Sequence, residues 1–192
     1  MDDDQILRRV ELAINMIQEL DVWLFKRDLS ERSMSHRLAL YLQVLFPTFD
    51  VDCEYNGNID SEGERKRINA VKQDLIQAGI KLTEGELRDE ENEFVSRAVF
   101  PDILIHKRGS NDANLCIVEI KKSSSGAVAT RYDEIKLRAY TTAYYDNDLR
   151  YALGVFISFG VENRTGQESV TLFKDGAKKQ FRDYNSNQYV EM

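Results

Sequence analysis

Apolar side chains recur at helical spacing at the start of the chain. Ile6, Val10, Ala13, Ile14, Ile17, Leu20 and Leu24 share one stripe and predict a helix over residues 4–24. Asp2, Asp3 and Asp4 stand where the dipole of that helix favours negative charge. Ser30 reads as the N-cap of a second helix ending near Pro47, with Met34, Leu38, Tyr41, Leu42 and Leu45 on its buried face. The pattern then shortens. Val51-Asp52-Cys53-Glu54-Tyr55 reads as a strand closed by the turn-like Asn56-Gly57-Asn58. A polar stretch to Lys66 leads into a predicted helix with Ile68, Val71, Leu75 and Ile76 inward, and residues 81–93 read as a solvated loop or short surface helix.

The second half is richer in continuous apolar runs. Residues 99–106 and 114–120 predict two strands, and the connector 107–113 has the Gly and Asn/Asp content of a hairpin loop. After the Ser/Gly-rich residues 123–126, a helix is expected over 130–145, a strongly apolar strand over 151–159 and a weaker one over 169–173. The tail from 174 to 192 is polar and shows no core of its own. No repeat and no long linker divides the chain, so one domain over 1–192 is expected, with a core of about 30–159 and the first helix, 1–29, added to it.

Composition narrows the class. The chain has 192 residues, 42% hydrophobic and 31% charged, which suits one globular domain with a substantial core. No apolar run reaches the roughly 18 residues a membrane helix needs. The acidic start lacks a signal-peptide pattern, so the cytoplasm is the default compartment. Cys53 and Cys116 read as buried reduced thiols, and with only His36 and His106 besides, a Cys/His zinc site lacks ligands. A metal here would be held by carboxylates, which suits Mg²⁺ or Mn²⁺. The net charge of −7 argues against a protein that coats nucleic acid non-specifically, but not against one gripping it through a local basic patch.

Glu-X-Lys occurs three times, at Glu64, Glu119 and Glu134. Only Glu119-Ile120-Lys121 ends an apolar strand, where alternation puts Glu119 and Lys121 on one side. Charges at the end of a buried strand are costly unless paired or metal-bound. A symmetric hairpin across 107–113 would bring Asp102, after Pro101, opposite Glu119. Two carboxylates so placed could hold Mg²⁺ with the Ile120 carbonyl completing the shell, and Lys121 could orient a water or neutralise charge on a phosphate. Glu31 falls on the inward face of the second helix, either reaching this site or stabilising the helix start. His36 reads as a surface residue, and His106 as a base that is not favoured. Asp133, Lys136, Leu137, Tyr140 and Tyr144 form a stripe on the later helix, from which Lys136 and Tyr140 are candidate phosphate and sugar contacts, and Lys122 with Lys107, Arg108, Arg131 and Arg138 candidate backbone contacts.

The order of these elements resembles the restriction-endonuclease-like core of the PD-(D/E)XK nuclease superfamily, over roughly residues 30–159. The likeness is greatest to small standalone bacterial or phage members, in Glu31-Arg32, His36-Arg37-Leu38, Cys53-Glu54-Tyr55-Asn56 and Pro101-Asp102-Ile103-Leu104-Ile105-His106. It implies an α/β three-layer fold with a central mixed sheet of about four to five strands flanked by helices. It implies Mg²⁺ at the opened sheet edge, with Glu31, Asp102, Glu119 and Lys121 in the superfamily's acid, metal and lysine positions. A helicase-associated subgroup carries Gln-X-X-X-Tyr in the next helix; here Lys136 replaces the Gln and Tyr140 remains, a departure from that subgroup. The leading expectation is a Mg²⁺-dependent nuclease acting on DNA. The alternatives are a non-catalytic module of the same fold that binds nucleic acid or a protein, and a structural subunit of a phage or defence complex. Cutting both strands at once would call for a homodimer, for which no segment is marked.

Overall fold

The computed structural model describes residues 1–57, 65–110, 112–183, 186 and 188–192. The expected turn at 56–58 and the first Glu-X-Lys triplet therefore fall partly outside the described residues, as does Asn111 of the expected hairpin loop.

The chain opens with α1 (Asp3–Leu20), whose Asp2 forms a capping box with Gln5. The helix expected to run on to Leu24 stops at Asp21, and a separate short α2 (Val22–Lys26) follows. The reason is local. The Asp21 carboxylate is engaged by Arg37 and Tyr41 of α3 (Glu31–Leu45), and Leu20 at the break is exposed. Ser30 caps α3 by accepting from Ser33 N–H at 3.2 Å.

Next come β1 (Asp50–Cys53), β2 (Arg67–Val71), α4 (Lys72–Gln77), α5 (Glu84–Arg88), β3 (Phe94–Ala98) and β4 (Ile103–His106). The helix expected around Ile68 is instead strand β2 followed by the six-residue α4. Ile68 and Ala70 are both buried, a period of two, whereas Ile76 is exposed. Apolar positions over so short a run fit either period, and pairing with β3 decides it. Val99 belongs to this small two-stranded sheet through its N–H to the Lys66 carbonyl, 3.1 Å. The expected strand 99–106 thus begins only at Ile103, after the chain has crossed at Pro101.

The main sheet continues with β5 (Cys116–Lys122), α6 (Ala127–Tyr140), β6 (Leu153–Phe159), β7 (Glu168–Lys174), β8 (Ala177–Arg182) and β9 (Val190–Glu191). Among the described residues it has seven strands in the order β1-β4-β5-β6-β7-β8-β9, more than the four to five expected. Only β5 and β6 pair in parallel, and α6 is the crossover between them. The extra strands come from the tail, expected to be polar and without a core. Its Tyr189 packs against the core, and its Arg182 reaches Glu168 at 3.3 Å. β8 is Ala177-Lys178-Lys179-Gln180-Phe181-Arg182, only partly covered and without an apolar run, so it carried no strand signal.

One face of the sheet, with Ile103, Ile105, Cys116, Val118, Ile120, Val155 and Ile157, packs on α1, α2 and α3. The other, with Leu104, Ile117, Phe156 and Phe173, packs on α6 through Leu137 and Tyr140. This is an α/β fold with a mixed central sheet between helical layers. Both thiols are free, but Cys53 is exposed rather than buried, because it ends the edge strand β1. Among the described residues, no helix is long and apolar enough to cross a membrane.

Candidate metal and phosphodiester site

The β4–β5 register pairs Ile103 with Val118, Leu104 with Ile117 and Ile105 with Cys116. Continued by one residue, it sets Asp102 beside Glu119. The Asp102 side chain lies across the end of β5, where Oδ2 accepts from the Ile120 N–H at 2.7 Å. Glu119 is fully buried on the α6 side of the sheet, within the apolar run of β5 that precedes Lys121 and Lys122.

α6 answers Glu119 with a cation. Lys136 Nζ lies 2.8 Å from Glu119 Oε2 and 2.7 Å from Asp133 Oδ1. Asp133 Oδ2 in turn lies 2.7 Å from Lys121 Nζ. Lys121 also donates to Glu31 Oε2 at 3.3 Å and to the Ile120 carbonyl at 3.1 Å. Glu31 sits at the first turn of α3, held through Oε1 by Ser125 Oγ at 2.6 Å and the Lys122 N–H at 3.1 Å. The result is an alternating chain of charges, Glu31–Lys121–Asp133–Lys136–Glu119, between α3, β5 and α6.

The electrostatics are unbalanced. With Asp102, four carboxylates face two ammonium groups, a formal excess of two negative charges. Burial pushes Glu119 well above the usual carboxylate range; Lys136 opposes this, while Asp102 and Asp133 add to it. Burial likewise raises Asp102, against the Ile120 N–H, Lys121 and Lys136. Glu31 goes the other way: burial would raise it, but the Ser125 hydroxyl, Lys121 and the Lys122 N–H hold it below the ordinary value. Burial works against the charge of both lysines and is outweighed, at Lys121 first by Asp133 and at Lys136 first by Glu119.

Whether a divalent cation suits these residues turns on one atom. Glu119 Oε1 is buried and accepts no hydrogen bond, a costly state for a carboxylate oxygen. Among the described residues, no three His, Cys, Asp or Glu side chains cluster as a metal cage. Mg²⁺ does not require one, since it is commonly held by one or two carboxylates with carbonyl, water and phosphate oxygens. Asp102, Glu119 and the Ile120 carbonyl match that donor set.

The remaining candidates are placed differently. Tyr140 is fully buried and Lys136 is enclosed by Glu119 and Asp133, so the expected contacts of both with phosphate and sugar are not open in this arrangement. Lys122 Nζ is taken by Asp28 Oδ1 at 2.8 Å. Arg108 is committed to Asp52, and Glu54 pairs with Arg32 at 2.9 Å. His106 is buried against Asp52, 3.0 Å away, and its neighbours there are Arg108 and Tyr55 rather than Glu119. His36 is exposed, and so are Arg131 and Arg138. Sequence reasoning gave Asp133 no role, although its i,i+3 spacing to Lys136 on the inward stripe was the available signal. Ser125 carried no signal, because its value lies in a loop that folds back on α3.

Because Ser30 sets the α3 turn that carries Glu31, Ser30→Ala is expected to destabilise the protein by about 1 kcal/mol. A urea midpoint indistinguishable from wild type would show that the cap contributes nothing. Comparison with protein-family models, with curated proteins and with solved structures finds no match to this chain.

Proposed function

We propose that the protein is a Mg²⁺- or Mn²⁺-dependent phosphodiesterase of the PD-(D/E)XK nuclease type, acting on DNA. The observation that carries this reading is the buried Glu119 oxygen without a hydrogen-bond partner, beside Asp102 in a cluster where four carboxylates face two ammonium groups. The order of elements also supports it: α3 with Glu31, β4 after Asp102, β5 with Glu119 and Lys121, then the α6 crossover into parallel β6.

In this mechanism Asp102, Glu119 and the Ile120 carbonyl would hold the cation, which would supply Lewis acidity toward the phosphate and make a water more acidic. Lys121 contributes a positive charge beside it. Its ammonium has three N–H donors, and Asp133, Glu31 and the Ile120 carbonyl lie within reach of them. So held, Lys121 acts as a fixed cation facing charge that develops on the phosphate, rather than as a base. Glu31 orients Lys121 from the α3 side.

The test is incubation with supercoiled plasmid, linear duplex, single-stranded DNA and RNA, with Mg²⁺ or Mn²⁺ and with a chelator. Divalent-dependent cleavage of a DNA substrate is expected. Silence on every substrate, with no divalent binding by calorimetry, would favour the non-catalytic module. The Lys136 ammonium seated on Glu119 leans that way.

Titration gives a second expectation. Asp102 and Glu119 have raised pKa values, so at a pH near or below those values the cation displaces protons as it binds. Affinity should fall as pH drops through the raised values, and the apparent binding enthalpy should vary with the ionisation enthalpy of the buffer. Without metal, the same two groups favour folding at low pH. Their contribution is fully present below the ordinary carboxylate value and is lost as pH rises through the elevated one. A binding enthalpy independent of buffer would contradict this account of the ligands.

A further inference from the structure

We infer that Asp133 is a positioning residue, which fixes both lysines of the site by giving one carboxylate oxygen to each. The inference rests on the phosphodiesterase reading for its effect on rate, but its geometry does not depend on that reading.

Asp133 lies in the second turn of α6, buried beneath the helix. Its Oδ1 is 2.7 Å from Lys136 Nζ and its Oδ2 is 2.7 Å from Lys121 Nζ. It is the central member of the alternating chain, with Lys121 and Glu31 on one side and Lys136 and Glu119 on the other. A lysine is a flexible four-carbon stem bearing a compact charge, so its useful position depends on what holds the ammonium. Lys121 arises from β5 and Lys136 from α6. Asp133 is the group that touches both, and it sets their separation across the interface between strand and helix.

The consequence reaches the carboxylates. Lys136 tied to Asp133 is placed on Glu119 Oε2, which leaves Glu119 Oε1 as the oxygen turned to other partners. Lys121 tied to Asp133 is kept at the end of β5, beside the Ile120 carbonyl. Groups that orient ligands and charges from behind typically alter metal affinity or activity by about 10- to 100-fold when removed. Asn at position 133 keeps the shape but loses the charge and one acceptor, and Glu restores both on a longer stem.

The experiment compares wild type, Asp133→Asn and Asp133→Glu in two assays. One is labelling of the intact folded protein with an amine reagent at fixed pH, read by peptide mass spectrometry and referred to the exposed Lys81. The other is divalent-dependent DNA cleavage, resolved into kcat and KM. Asp133→Asn is expected to raise labelling of Lys121 and Lys136 above wild type, and to lower kcat about 10- to 100-fold with KM little changed, with partial recovery in Asp133→Glu. Unchanged labelling of both lysines in a folded Asp133→Asn protein overturns the inference. So does a loss of cleavage that only follows the fraction unfolded. A wild type that cleaves nothing, while labelling rises in Asp133→Asn, defeats the phosphodiesterase reading and leaves Asp133 as the group positioning both ammoniums.

Discussion

Lys121→Met is expected to lower divalent-dependent cleavage by about two to three orders of magnitude. Methionine keeps most of the aliphatic stem and removes only the ammonium. The loss should appear in kcat, because a fixed cation opposite developing charge acts most strongly on the transition state. Some stability will go with it, since Asp133 loses one of its two partners in a buried position. Rates must therefore be normalised to folded protein, with circular dichroism confirming the fold. A variant cleaving within a few-fold of wild type would remove Lys121 from the chemistry and leave it a partner of Asp133 and Glu31.

The second large effect concerns stability. Lys136→Ala leaves Glu119 wholly buried without its ammonium, and breaking such a pair from one side typically costs about 3–5 kcal/mol. Glu119 can escape by taking up a proton, so the loss should be greatest at high pH and shrink as pH falls through its raised value. Replacing both partners tests the same physics: Lys136→Met with Glu119→Leu should recover much of the stability, because a well-packed apolar pair can match a buried ion pair. That double variant should bind no divalent cation at the site. If Lys136→Ala unfolds at the wild-type urea concentration across the whole pH range, the pair does not stabilise the fold and Glu119 is neutral in the native state.

What could be read from the sequence divides along physical lines. Long-period signals survived folding. The α1 stripe, the Ser30 cap and the apolar runs of β5 and β6 each correspond to an element in place. The hairpin argument also carried well, because side-chain alternation and a symmetric connector leave few registers, and the one adopted puts Asp102 beside Glu119. Short segments fared worse. Ile68 and Ala70 became a strand only because β3 was there to pair with, and β3 itself is five residues long, directly after the acidic stretch 81–93. The tail strands gave no apolar run, since β8 is half-covered and β9 exposed at the sheet edge.

The site shows the same division. Glu119, Lys121 and Asp102 could be placed from alternation and pairing within one hairpin. Glu31 could be placed on an inward helix face, but its partners Ser125 and Lys122 N–H come from the loop and strand end after a long detour. Lys136 and Tyr140 were visible as a stripe, yet a stripe does not say whether it faces solvent or a sheet. Here α6 turns it onto β5, so Lys136 meets Glu119 instead of phosphate. Asp133 was legible as a position and not as a function, because its two partners lie on different elements.

We propose that Asp102 and Glu119 form a divalent-metal site for phosphodiester hydrolysis. The most direct measurement is Mg²⁺- or Mn²⁺-dependent cleavage of plasmid and single-stranded DNA by wild type and Asp102→Asn, side by side at equal folded concentration. The account predicts cleavage by wild type that a chelator abolishes, and a rate at least about a hundredfold lower for Asp102→Asn. Cleavage by Asp102→Asn at the wild-type rate, or none by wild type with either ion, would contradict it.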